Sequence, residues 1–370
     1  MKNLILPILV LSVNLLLAQQ EVQSVIIISK TNDSNYNDIS KLSSVNDNLK
    51  MSFVVVTEMN GITKYYSDVE HFELGGESIK KNTISNIKDL SEDVQISWCK
   101  IEEANGKDYN NCSPNWHWEE IPYKETKMTE WDNWSIITPD VKPTIFAPVY
   151  CNKKITGTMR FKCSINFNQQ IYSSKGKKSK YKGSISEKIH RISLKGNTEN
   201  EVINFAFAMC NLPYIWGSAN FSNNSNWDNQ AERFIGADCA DFAVAAHQLA
   251  GNQIPYDSIK KLSHTKIIET VATFNNGNYL DNSNNLIEIG DNGIQVGDFV
   301  YWKYDQPGAG HVGLFLKDKS DPRGEFNGTS DGLFNKWDLV IHTLFHEPEI
   351  KSIGTAYSGN IRIYRFKVKN

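Results

Sequence analysis

Three residues of this 370-residue chain have side chains suited to nucleophilic chemistry in a telling order: Cys239, then His311, then His342. Cys239 stands in GADCADFAVAAHQLAG, residues 236–251, directly after Asp238 and ahead of a run of small apolar residues. Asp238 suits an N-cap, Phe242, Ala246 and Leu249 form an apolar stripe, and Gly251 suits a C′ stop. The spacing therefore predicts a helix whose first turn holds the thiol. Unpaired N–H groups and the positive end of a helix dipole favour an anion there, which predicts a thiol pKa below the free value of about 8.5. A nucleophile also needs a base. His311 follows Gly308-Ala309-Gly310 and opens the apolar run HVGLFL, which predicts an accessible imidazole at a strand end. His342 is a polar residue inside DLVIHTLF and would orient that imidazole and fix its tautomer. His346 is a rival for the third place. Each of these residues has a bland alternative: a packed thiol, a surface histidine, a satisfied histidine within a strand.

Those side chains need elements to hold them. NTENEVINFAFAMCNLP, residues 197–213, has Thr198 with Glu201 three later, a capping box that predicts a helix from 198, ended by Pro213. Strand signals fill the chain from about 285 onward in GDFVYW, HVGLFL, DLVIHTLF and NIRIYRF. Helices followed by strands make an α+β pattern over 195–370. Residues 20–190 read differently. Short β-branched and aromatic runs such as SFVVVTEM, VQISW and TGTMRFKCSINF alternate with Gly, Asn, Asp and Pro, which predicts an all-β accessory domain, most simply an immunoglobulin-like sandwich. Five of the nine tryptophans lie within 98–134; they are read as core or hairpin-packing residues, with stacking on sugar rings the alternative.

Composition narrows the setting. A formal charge of -3 on a chain 40% hydrophobic and 22% charged gives no push toward nucleic acid. One lysine run, SSKGKKSKYKG at 173–183, reads as a solvated tip, or as an attraction for an anionic envelope polymer. Residues 1–18 combine Lys2, an almost wholly apolar stretch and a small residue at the end, which predicts a cleaved signal peptide, secretion or periplasmic delivery, and no stable membrane anchor. In an oxidising compartment the six cysteines tend to pair. Cys99 with Cys112 and Cys151 with Cys163 are candidates by proximity, leaving Cys210 and Cys239 to pair with each other or to stay free. No metal is expected, because His342 and His346 flank a strand-like TLF instead of lying on a helix.

As a set, five segments resemble the NlpC/p60 family of cell-wall cysteine peptidases: LPYIWGS (212–218), GADCADF (236–242), VGDFVYW (296–302), GHVGLFL (310–316) and VIHT (340–343). The resemblance implies a papain-like α+β domain without a cofactor, with Cys239 as nucleophile, His311 as base and His342 as the orienting residue. It places Tyr214 beside the thiol, able to serve the oxyanion, and Asp238 and Asp241 next to the substrate, Asp238 being also the helix cap. It implies a partner in peptidoglycan or a cell-wall peptide. Ala240-Asp241 replaces the family's Ser-Gly, and a carboxylate there would oppose a thiolate or recognise a substrate cation. Two other readings stay open: an amidase or acyltransferase acting on another amide, and an inactive envelope-binding protein on the same fold.

Overall fold

The computed structural model describes residues 21–110, 119–145, 155–181, 183–221, 227–256, 266–303, 310–322 and 329–366. The protein is strand-rich and α+β in class. Its first half holds two sheets facing one another. One is built on the long antiparallel pair Glu21–Thr31 and Leu49–Met59, in a register that sets Ile27 opposite Phe53. The other centres on Gln95–Glu103 beside Gly157–Phe167. Met51, Phe53, Trp98, Phe161 and Ile165 fill the space between the sheets. Phe53 and Trp98 meet edge to face at 5.9 Å, and the indole N–H of Trp98 donates to the Trp134 carbonyl at 2.9 Å. The run of isoleucines near 25–28 is continuous because this strand is covered on both faces: Ile27 points into that core, and Ile28 into a second cluster with Tyr36, Val54 and Phe72.

The strand pleat settles part of the cysteine pairing. Cys99 lies across from Lys162, and Cys163 across from Trp98, so the two sulfurs leave opposite faces of one sheet. Both are free thiols, so the pairs Cys99–Cys112 and Cys151–Cys163 do not form; Cys163 instead serves as a core filler between the sheets. Cys112, Cys151, Trp116, Trp118 and the leader 1–18 lie outside the described residues. Cys210 is disulfide-bonded, whereas Cys239 is free. Among the described residues no helix is long and apolar enough to cross a membrane.

The second half contains α1 (Glu201–Ala208) and α2 (Cys239–Leu249); α1 packs against α2 and the Arg191–Lys195 strand of the first half, and α2 packs on a seven-stranded sheet. Along that sheet the strands run Asn278–Leu280, Lys266–Asn275, Ile361–Phe366, Phe299–Lys303, Gly310–Lys317, Leu339–His342, Glu349–Ser352. Phe242, Ala243 and Ala246 of α2 share a core with Val312, Leu314 and Ile341 of the sheet; small residues let helix and sheet approach closely. Asp238 caps α2 as its sequence predicts, accepting from Ala240 N at 3.0 Å and Asp241 N at 2.9 Å. Gly251, at φ +90°, follows its end. For α1 the expected cap at Thr198 gives way to Asn200, whose side chain accepts from Ile203 N at 3.1 Å. Thr198 bonds the Asn204 side chain at 2.8 Å and leaves the cap position to its neighbour.

The two halves are joined by more than the connecting chain. Asp108–Asn110 pairs in parallel with Tyr214–Trp216. Tyr109, Ile121, Ile215 and Ile235 close a small core around that pairing. Arg160, buried on the face of its sheet turned away from the core between the two sheets, donates to the Phe234 carbonyl at 2.5 Å. The segment carrying Tyr214 is therefore braced from both sides.

Gly313 lies directly opposite His342. A Cβ at 313 would stand 2.6 Å from Val340 Cγ2 and 2.8 Å from His342 Cβ, closer than packed atoms allow. Gly313→Ala is expected to lower stability by about 1–3 kcal/mol, as overpacking does, measured by urea unfolding.

Candidate functional site

Cys239 opens α2, buried to 6% exposure, and its sulfur lies against the N–H of Val312. Val312 shares a peptide unit with His311, so the helix N-terminus and the histidine strand meet at this point. His311 and His342 are in direct contact: Nε2 of the first is 2.8 Å from Nδ1 of the second, and their rings meet edge to face at 4.9 Å. The structure thus brings His311 and His342 into contact, with Cys239 against the backbone one residue on from His311, and it selects His342 over His346 as the neighbour of His311. The thiol and the imidazole are not hydrogen-bonded here, since His311 Nδ1 is buried and has no partner. Apo active-site contacts commonly tighten only with substrate bound.

Several expectations are corrected. His311 is 0% exposed; the flanking strands and Tyr357, whose ring is 5.6 Å away, enclose it. His342 ends its strand instead of lying within it, and His346 belongs to the bend that follows. Asp241 does not face a substrate. It is buried, accepting from the Ser218 hydroxyl at 2.7 Å and Ala219 N at 2.6 Å, and it shares a hydrogen bond with Asp238. Asp238 also accepts from Gly217 N at 2.9 Å. The two carboxylates tie the start of α2 to the turn at 217–219, and burial followed by their mutual charge raises the pKa of Asp241; burial likewise raises Asp238. One proton shared between them satisfies both.

The thiol is not acidified. Burial pushes Cys239 up, and the Asp238 charge adds to it. The backbone N–H groups of Val312 and Ala240 pull the other way and do not overcome the burial. Burial pushes His311 down to about 3, with the charges of His346 and Lys351 adding to it. His342 falls well below its usual range for the same leading cause. The resting pair is a neutral thiol beside a neutral imidazole.

Tyr214 is 1% exposed, and its hydroxyl has no hydrogen-bond partner among the described residues. Its ring lies 5.5 Å from that of Phe345. Phe345 is 52% exposed and sits at φ +59°, a backbone conformation that a bulky residue rarely adopts. Thr343 Oγ1 closes this turn onto the His346 carbonyl.

Glu349 escaped the sequence reading. Its Oε1 lies 3.5 Å from His342 Nε2, 2.8 Å from His346 Nε2 and 2.5 Å from Lys351 Nζ, and the side chain is fully buried. A faint signal existed: Glu349 and Lys351 share one strand face, three residues and more after His346. Among the described residues no group of His, Cys, Asp and Glu is arranged to hold a metal. Compared with family models, curated proteins and solved structures, the chain matches none.

An unfolded histidine binds a proton as pH falls below 6.5, whereas folded His311 resists one until about 3. The folded state thus binds fewer protons, and stability is lost as pH drops through this window. Urea midpoints between pH 7 and pH 4 are expected to fall more steeply in wild type than in His311→Gln.

Proposed function

We propose that the protein is a cysteine hydrolase of papain-like architecture, cutting amide bonds through Cys239, His311 and His342, with an immunoglobulin-like accessory domain. The observation that carries this reading is the 2.8 Å contact between His311 Nε2 and His342 Nδ1, beside a free thiol at the start of a capped helix. Two imidazoles in register leave the outer nitrogen of the first, Nδ1, unpartnered and available as a base.

The chemistry starts from neutral groups. Sulfur attacks the amide carbonyl as its proton passes to His311 Nδ1, so no free thiolate has to persist in a buried site. The sulfur lies against the Val312 N–H, which shares a peptide unit with His311, and the reaction requires the imidazole to be brought to the sulfur when substrate binds. The N–H of Cys239 is not among those that Asp238 takes; with the Tyr214 hydroxyl it serves the developing oxyanion. His311 then gives its proton to the leaving amine, and water cleaves the thioester. The substrate is the peptide stem of peptidoglycan, to which the five-segment resemblance and the leader-like residues 1–18 both point. Secretion or periplasmic delivery follows from the same leader.

Burial of all three residues, with Phe345 beside Tyr214, favours a second reading: an envelope-binding protein that does not turn over. Incubating the mature protein and Cys239→Ala with peptidoglycan and identifying the soluble fragments separates the two. Hydrolysis is expected from wild type, with a loss of at least about 10³-fold in the variant. Equal binding by both proteins with no fragments from either would support the second reading.

A further inference from the structure

The two nitrogens that meet between His311 and His342 share one proton, and two arrangements are possible. In the first, His342 donates from Nδ1. Its Nε2 then turns a lone pair toward the Glu349 carboxylate, and His311 carries its own proton on Nδ1, where it cannot act as a base. In the second, His311 donates from Nε2, His342 accepts at Nδ1 and directs Nε2–H at Glu349, and His311 Nδ1 keeps its lone pair. Only the second places a donor opposite the carboxylate.

We propose that Glu349 is the positioning residue of this site, its buried carboxylate selecting the tautomers of His342 and His311 that leave His311 Nδ1 as proton acceptor. This rests on Cys239 and His311 acting together as described above. The carboxylate comes from the edge strand Glu349–Ser352, next to the His342 strand. Three groups face it. His342 is at 3.5 Å, a charge contact one short shift away from a hydrogen bond. His346 has both ring nitrogens against acceptors, Nδ1 on the Glu347 carbonyl at 2.6 Å and Nε2 facing Glu349 at 2.8 Å; burial lowers its pKa, but these contacts outweigh it and raise the value, which favours the cation. Lys351, from the same strand as Glu349, is at 2.5 Å. All three crowd Oε1 as charge contacts, and both carboxylate oxygens and His342 Nε2 are buried without a hydrogen-bond partner, so the carboxylate has lone pairs to offer His342 Nε2–H.

The proton accounting closes within the chain. When sulfur attacks, the S–H bond breaks and an N–H bond forms at His311 Nδ1. The resulting imidazolium already donates from Nε2 to His342, whose own Nε2–H points at the Glu349 carboxylate. Glu349 faces only His342, His346 and Lys351. It touches neither substrate nor sulfur.

The experiment is nitrogen NMR of the full mature chain labelled with ¹⁵N-histidine, signals assigned through His311→Gln and His342→Gln. Wild type is expected to show His311 and His342 protonated on Nε2 and bare on Nδ1. In Glu349→Gln that preference is expected to be lost, with alkylation of Cys239 by iodoacetamide slowed roughly 10- to 100-fold, the range for outer-shell partners. A protonated Nδ1 on His342 in wild type overturns the proposal, even if Glu349→Gln does not fold. So does a Glu349→Gln protein with unchanged tautomers and unchanged alkylation. Wild type that shows the expected tautomers yet leaves peptidoglycan intact would keep this inference and remove the hydrolase. Wild type that digests peptidoglycan with the opposite tautomers would do the reverse.

Discussion

A single strand register holds the site together. Gly313 stands opposite His342, and the absence of a side chain at 313 lets the two strands close with His342 drawn against His311. Because side chains alternate faces along a strand, a slip of one residue would send His342 to the side packed on α2 and break its contact with His311. The proposed chemistry follows from that pairing: the tautomers, the unpartnered Nδ1 of His311, and the relation of Glu349 to His342. The adjoining pairing of His342 with Glu349 extends the same register by one strand.

Around that register the protein accepts a large burial of ionisable groups and manages it by neutrality and pairing. Cys239, His311 and His342 are kept uncharged, because no water reaches them to stabilise an ion. Asp238 and Asp241 share a proton and spend their remaining lone pairs on backbone N–H groups and a serine. Glu349 takes the opposite course and is paired with His346 and Lys351. Leaving either cation out would strand a buried carboxylate, a far larger cost than a surface ion pair ever returns. Burial also raises Glu347 to about 7, with the carboxylates of Glu102 and Glu103 in the β-rich half adding to it. The bend after His342 therefore feels both halves of the chain.

What was legible in the sequence was local. Asp238 and Gly251 bracket α2 because capping depends on a few adjacent residues, and His311 and His342 stand out because a strand of apolar residues has no ordinary place for imidazole. What was illegible needed the third dimension. The thiol's expected acidity failed because burial, with the charge of Asp238 added, outweighs the help from the backbone N–H groups of Val312 and Ala240. His311 was read as accessible from a neighbouring Gly-Ala-Gly, yet exposure is decided by strands far away in sequence. The cysteine pairs were read from proximity along the chain, whereas the pleat decides which face each sulfur leaves. Glu349 lies in HEPEIKS, where nothing marks it as buried. Thr198 lost the α1 cap to Asn200 by two positions, the usual uncertainty of helix ends.

The parallel pairing of Asp108–Asn110 with Tyr214–Trp216 has a consequence for how the chain can be divided. A fragment starting near residue 196 would keep the whole seven-stranded sheet and still be defective. Its Tyr214 strand would lose the neighbour that satisfies one edge, and Ile215 and Ile235 would meet water where Tyr109 and Ile121 had covered them. Such an edge invites other chains to bind in place of the missing one. The β-rich half is, in this sense, a built-in chaperone for the strand next to the thiol, and evolution could not swap it for an unrelated module without first teaching that strand to stand unaided.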